Sequence, residues 1–318
     1  METCKRTQMN NPLFSILMAN YNNGQYIGQA IESVIEQAYS NWEIIIVDDC
    51  SKDSSVEVLS KYCLKDERIK FFINKKNKGV GYTKNRAACL ANGEILGFLD
   101  SDDTIVSNAL EIMVKEHRKN SKCSLIYSTH YICDKNLEII KLCSDIRMLD
   151  ENEFYLTCKN KIHCIGHFAT FKKQMYLKNK PLDINLKKAI DQDLYLKLEE
   201  VGKVKYLDIP LYYYRHHDNS ISLNNNGWKA FLWEVRAKEK AYLRRLNTNV
   251  PNISKEKLNH EYYYVYKQLA FECLNDKKFF KYLGYCWLFL CTFHNPLTLI
   301  KFMYYTIKRH FYPEYFKQ

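Results

Sequence analysis

A chain of 318 residues, 47% hydrophobic and 26% charged, has enough apolar side chain for a large buried core, which excludes a mainly disordered protein. Its formal net charge of +11 favours polyanionic partners such as nucleic acid, an anionic membrane surface or the phosphates of a small substrate, and charge alone does not choose among them. Twelve cysteines without a CxxC pair or a framework of close spacings exclude a disulfide-stapled scaffold and read as reduced, mostly buried thiols.

The stretch from Met1 to Asn11 is polar and has no apolar core of signal-peptide length. It is expected to be flexible, and the protein cytoplasmic. From Phe14 short apolar runs alternate with helical periods, the order of a mostly parallel α/β sheet flanked by helices. Phe14–Ala19 is the first strand, turn formers follow at 20–24, and Ile27, Ile31, Val34, Ile35 and Ala38 recur at helical spacing. Glu43–Val47 is the second strand, with Val56, Leu59, Tyr62 and Cys63 marking the next helix. Ile69–Ile73 is the third. A loop at 74–81 leads into a helix with Ala87, Ala88 and Leu90, and Glu94–Leu99 is the fourth strand. Leu125–Thr129 and Glu138–Leu142 suggest a hairpin over the site, Asp191–Val201 a helix, and Lys203–Tyr214 an extended segment bent at Pro210. From Trp228 the pattern is helical, with a connection at Asn249–Ser254.

Three of these strands end in polar loops, at 19–22, 48–49 and 100–103. Ligands of open α/β sheets lie outside the carboxyl ends of the strands, so these loops are expected to share one crevice. Asp100, Asp102 and Asp103 in one turn repel one another unless a cation offsets them, and hard oxygen donors suit Mg²⁺ or Mn²⁺. The plainer reading is a solvated acidic turn or the start of the next helix. Asp48 and Asp49 carry a similar ambiguity: Ser51 or Asp53 can cap a helix, while a carboxylate here can accept the imide N–H of a pyrimidine on which Tyr21 stacks.

Taken together, Ser15-Ile-Leu-Met-Ala-Asn-Tyr-Asn22, Ile44-Ile-Ile-Val-Asp-Asp49 and Phe98-Leu-Asp-Ser-Asp-Asp103 resemble, in order and spacing, the family 2 glycosyltransferases. The likeness runs from about Phe14 to Asn108 and resumes from Lys188 to Ser222. It implies a GT-A fold and an inverting transfer from a nucleotide-diphosphate sugar, UDP-sugar by default, to a glycan or lipid-linked glycan, in polysaccharide synthesis. By the same resemblance Ala19, Tyr21 and Asn22 border the nucleotide, Asp49 contacts the base, Asp102 holds the ribose and Asp103 the metal. Lys84 and Asn85 also fall on the donor side, Lys84 standing where the family often has Arg and so losing the planar fork. Ala189-Ile-Asp-Gln-Asp-Leu194 resembles the family's Glu-Asp-x-Asp-Leu, making Asp191 the general base, with Ile190 in place of the common Glu; the alternative is a helix cap. His217 would ligate the metal or donate to the diphosphate, Arg215 faces phosphate or a carboxylate, and Gly166 and His167 line the acceptor side.

The implied organisation is a flexible 1–11, a catalytic domain at 12–225 with a donor half at 12–108 and an acceptor half at 109–225, and a helical basic and aromatic region at 226–318. Within that region Tyr282–Phe293 is too short to span a bilayer. Its flanking lysines suit either an anionic membrane interface or a helical subdomain packed on the core. No nucleic-acid-binding signature accompanies the positive charge. A nucleotidyltransferase would carry a Gly-rich loop where Asn20-Tyr-Asn-Asn-Gly24 stands, and a sugar-nucleotide-binding protein without catalysis would be expected to lose acidic positions that this chain keeps.

Overall fold

The computed structural model describes residues 11–149, 153–158, 165–179, 181–217 and 227–311. All but the last residue of the N-terminal stretch expected to be flexible lies outside these. The chain divides into two compact units, residues 1–187 with 194–220, and residues 188–193 with 221–318.

In the first unit β1 (Phe14–Asn20), β2 (Trp42–Asp48), β3 (Ile69–Ile73) and β4 (Ile95–Phe98) pair in parallel in the order β3-β2-β1-β4. Parallel strands covered on both faces read as unbroken apolar runs, and every residue of β2 is buried. The crossovers are α1 (Ile27–Ile35), α2 (Ser55–Lys65) and α3 (Val80–Leu90). α1 buries Ile27, Ala30, Ile31 and Val34, the i, i+3, i+4, i+7 stripe of a helix laid on a sheet.

Beyond β4 come β5 (Thr104–Ile105), α4 (Ala109–Lys119), the long β6 (Cys123–Cys133), β7 (Ile139–Leu142), β8 (Ala169–Lys172), α5 (Lys173–Lys178), α6 (Ile190–Glu199) and β9 (Lys203–Arg215). The nine described strands form one sheet, β3-β2-β1-β4-β8-β6-β9-β5, with β7 on β6. Its second half is mixed: β8 runs antiparallel to both β4 and β6, while β9 returns parallel to β6. The sequence reading has no strand at 169–172. The four-residue β8 is too short to show a period, and it is held at Gly97, where a Cβ would stand 2.9 Å from the Phe168 ring. The hairpin expected at 125–142 is β6 with β7, and Pro210 sits at a register shift between β6 and β9.

The second unit contains the first turn of α6 and four helices, α7 (Gly227–Arg245), α8 (Lys255–Asn275), α9 (Phe279–Phe293) and α10 (Pro296–Phe311). Ser254 caps α8 by accepting from Lys257 N at 3.1 Å. His294, left-handed at φ 51°, ends α9, and Pro296 opens α10 at the position where a missing N–H costs nothing. The ten described cysteines are all free thiols.

A histidine under the first unit's sheet sets an acid limit on its stability. His117 is 3% exposed and bonds through Nε2 to Thr170 Oγ1 at 2.9 Å. Burial first, and then the Lys172 ammonium, pull its pKa down to about 3. The unfolded chain, with an ordinary imidazole, binds more protons between that value and about 6.5, so stability is whole above the window and is lost as pH falls through it. His117 alone is expected to cost about 2 kcal/mol between pH 7 and pH 5. Urea unfolding at both pH values checks this, with His117→Gln flattening the difference.

Candidate active site

Asp48, fully buried, ties together the loops that leave β1 and β2. It accepts from Asn20 Nδ2 at 2.8 Å, from Ser51 N at 2.9 Å and from Ser51 Oγ at 2.6 Å. The Ser51 hydroxyl in turn accepts from Asn22 N at 2.9 Å, and Asn22 Oδ1 accepts from Lys52 N at 2.8 Å. Asn22 and Cys50 adopt positive φ of 53° and 67°, conformations that such a knot must impose on residues with a Cβ. Asn22 therefore builds the loop through its side chain, while Tyr21 beside it is 48% exposed and offers a ring to a ligand. Ala19, next to last in β1, is the strand's one partly open residue.

Asp49 faces the other way. Its Oδ1 accepts from Asn74 Nδ2 at 2.7 Å and Lys78 N at 2.8 Å, and its Oδ2 from Gly79 N at 2.7 Å. It thus pins the basic loop at 74–79 and leaves about one of a carboxylate's four acceptor positions for another donor. Gly79 reaches that bond at φ 85°, where a side chain is strained, and α3 starts at the next residue.

The acidic turn closes against this knot, since Asn23 Nδ2 donates to Ser101 Oγ at 2.9 Å. Its three carboxylates have different fates. Asp100 lies 3.1 Å from Lys84 Nζ; burial opposes its charge, but Lys84 and His167 overcome that and hold its carboxyl below the usual range. Asp103, 1% exposed, has both oxygens taken inside the protein, by Tyr212 Oη at 2.7 Å and Arg215 N at 2.7 Å. Burial, with Asp102 and Asp100 adding repulsion, pushes its pKa well above the usual carboxylate range. Asp102 keeps a side chain 24% open to solvent, and its Oδ2 stands 3.0 Å from His217 Nε2. The His217 ring rests 4.8 Å from the ring of Tyr26. The sheet thus brings 19–23, 48–51, 84 and 100–103 together, and β9 adds the residues up to 217.

A family model described as glycosyl transferase family 2 matches residues 15–178, just over half of the chain. The chain belongs to glycosyltransferase family 2. It is 32% identical over 197 residues to a chondroitin synthase of Escherichia coli, covering 62% of this chain and 28% of that protein. It is 34% identical over 191 residues to the putative colanic acid biosynthesis glycosyl transferase WcaA of Escherichia coli, covering 59% of this chain and 67% of that one. The chain therefore spans only a little over a quarter of the chondroitin synthase. Among solved structures, S. aureus TarS in complex with UDP-GlcNAc superposes with a TM-score of 0.60 at 20% identity, covering 78% of this chain and 70% of that one. The mannosyltransferase PcManGT of Pyrobaculum calidifontis, in complex with GDP-Man and Mn²⁺, gives 0.57 at 13% identity, covering 96% and 88%. At such identities the likeness is one of fold, and the fold is GT-A.

In this family 2 site several residues expected to face a ligand are bonded within the protein. Asp103, expected to hold the metal, is 1% exposed and gives one acceptor position of each oxygen to β9, and the carboxylate that opens outward is Asp102, expected at the ribose. Arg215 does not reach for phosphate. It is 2% exposed and donates to Asp102 O, Lys135 O and Gln29 Oε1 at 2.6, 2.6 and 2.8 Å, clamping the turn. Lys84, 4% exposed, directs its ammonium at Asp100, and Asn85 Oδ1 accepts from Tyr176 Oη of α5 at 2.6 Å, joining two helices. His167 stacks between Tyr212 and Tyr214, at 4.8 and 5.6 Å between ring centroids, and Gly166 packs on Ile146. Asp191 stands in the first turn of α6, within the second unit. The residues missed were Tyr212 and Asn23. Tyr212 follows Pro210-Leu in an apolar strand, and nothing local marks its hydroxyl as a partner for a carboxylate 109 positions away.

Among the described residues no group of three or more His, Cys, Asp or Glu converges on one point. Asp102 and His217 are a pair, and a pair fits an ion of the Mg²⁺ or Mn²⁺ class, which commonly takes one or two protein ligands and completes its shell with water and substrate phosphates.

Proposed function

We propose that the protein transfers a sugar from a UDP-sugar, with Mn²⁺ or Mg²⁺, to a hydroxyl of a glycan or lipid-linked glycan, in one inverting displacement and in cell-surface polysaccharide synthesis. The observation that carries the donor half is the Asp102–His217 pair, a carboxylate and an imidazole 3.0 Å apart at the edge where the loops of β1, β2 and β4 meet. Asp102 and His217 would hold the metal, which when bound neutralises the charge growing on the leaving diphosphate. Tyr21 stacks on the base, and the remaining acceptor position of Asp49 takes its imide N–H. Lys84 keeps Asp100 ionised, and Asp103 with Arg215 fixes the turn against β9. Asp191 takes the proton of the acceptor hydroxyl as that oxygen attacks the anomeric carbon. The names of the relatives, a chondroitin synthase and a colanic acid transferase, support a polysaccharide product. No described helix is long and apolar enough to cross a membrane, and we place the lipid-linked acceptor at an anionic inner membrane surface.

A thermal-shift screen of nucleotide sugars with and without Mn²⁺ tests the donor. A ligand at a hundredfold excess over its Kd stabilises the folded state by about 2.7 kcal/mol, which for a chain of this size is a rise of roughly 4 °C. That rise is expected with a UDP-sugar and Mn²⁺ together and not with either alone. If no nucleotide sugar moved the midpoint, the reading would fail; an equal rise without metal would remove the metal from it.

A further inference from the structure

The helices of the second unit carry more apolar surface than their packing uses. α9 buries Tyr282, Cys286 and Phe289, spaced as one helical stripe, and α10 buries Phe302 and Thr306. The two stripes meet where the Phe289 and Phe302 rings lie 4.2 Å apart. Off that stripe α9 shows a second one to solvent, with Phe280, Leu283 and Trp287 exposed to 90%, 41% and 66%. α10 does the same with Leu297, Ile300, Tyr304 and Phe311, exposed to 71%, 62%, 58% and 67%. Both sets recur at helical spacing. Contiguous exposed apolar surface of this kind marks a surface that meets something.

Charge says what. From Lys277 to Phe311 the sequence has no Asp or Glu, and it has Lys277, Lys278, Lys281, Lys301, Lys308 and Arg309. Lys277, Lys281 and Lys301 have no carboxylate within ion-pair distance among the described residues. The outer α9 stripe runs on to Cys291, which borders a cavity of about 500 Å³ walled by Arg236, Lys240 and Lys255 against the single carboxylate of Glu239. A second copy of the chain laid on this face would bring like charges together at close range. A surface of phosphates over acyl chains satisfies both the lysines and the aromatic rings. The helices, at 15 and 16 residues, are too short to cross about 30 Å of hydrocarbon but long enough to lie in the interface plane.

We infer that the outer faces of α9 and α10 seat the protein in the interface of an anionic lipid bilayer. Phe280, Trp287, Ile300 and Tyr304 enter the headgroup and acyl boundary, and Lys277, Lys281 and Lys301 meet the lipid phosphates. The inference rests on the reading of a lipid-linked acceptor only for its purpose.

The test is sedimentation of the full chain with vesicles of phosphatidylcholine, alone or mixed with phosphatidylglycerol. Binding to the mixed vesicles is expected to be at least tenfold tighter, to weaken with salt, and to shift Trp287 emission to the blue. Phe280→Ser with Trp287→Ser should weaken it roughly tenfold or more, and Lys281→Gln and Lys301→Gln about fivefold each. These are surface positions, so the unfolding midpoint and the UDP-sugar thermal shift should stay as in the wild type, and failure of the transferase reading would leave the vesicle result standing. The inference is overturned if the chain stays in the supernatant with both vesicle types. It is also overturned if the aromatic substitutions leave sedimentation intact, or abolish a concentration-dependent dimer instead.

Discussion

Asp102→Asn is expected to lower transfer by roughly 10³-fold, the order lost when one preorganised group is removed from charge developing in a transition state, without moving the unfolding midpoint. The argument turns on which carboxylate of the acidic turn is available. Asp102 is partly open and bonded to one imidazole, so its amide keeps shape and neighbours while losing the charge that would hold a cation. Asp103→Ala is the contrast. It strips the acceptors from Tyr212 Oη and Arg215 N, both buried, and each orphaned donor costs about 1–3 kcal/mol. That variant should lose stability first and activity as a consequence, whereas Asp102→Asn should bind UDP without the Mn²⁺ enhancement expected of the wild type. Calorimetric titration of UDP at fixed Mn²⁺, beside thermal unfolding of both variants, separates the two. Should Asp102→Asn turn over normally while Asp103→Ala folds as the wild type and is dead, the metal role returns to Asp103.

That choice was not legible in the sequence, and the reason is physical. Asp102 and Asp103 are adjacent in one turn, and nothing within the motif says which is swallowed. The decision is made by β9, where Tyr212 and the backbone of Arg215 arrive from more than a hundred residues downstream. Arg215 shows the same limit: its residue type allows phosphate or carboxylate partners, and only the placement of Gln29 and Lys135 beside it turns the guanidinium inward. What is local was readable. The runs of β1 and β2 are mostly apolar because both faces are covered, β3 at the sheet edge is less buried, and each stops at a cluster of turn formers, so the carboxyl edge and its loops follow from the residues alone. β8 was missed because four residues carry no period, and its close approach to β4 needs Gly97 to leave room for the Phe168 ring. In α9 and α10 the apolar content was plain, but periodicity does not say which of two apolar stripes faces the core.

Asp191→Asn is expected to lower kcat by about 10²–10⁴-fold, the range supplied by a positioned general base, with donor affinity unchanged. The first turn of α6 holds two carboxylates, Asp191 and Asp193. Asp193 is fully buried, and its Oδ1 lies 3.6 Å from Arg244 Nη1 within the second unit. A buried carboxylate committed to a guanidinium is a poor base, because protonating it leaves that cation uncompensated. Asp191, two residues earlier and so on another face of the helix, is partly exposed. The amide of Asp191→Asn keeps the side chain's size and its place in the helix but takes no proton, so the loss should fall on the chemical step. Asp193→Asn should do the reverse, lowering the unfolding midpoint through Arg244 and leaving turnover of the folded fraction close to wild type. Single-turnover transfer with saturating donor, read beside the donor thermal shift, distinguishes these outcomes. Wild-type turnover in Asp191→Asn would move the base to another residue, and a lost thermal shift in the same variant would make Asp191 a donor contact instead.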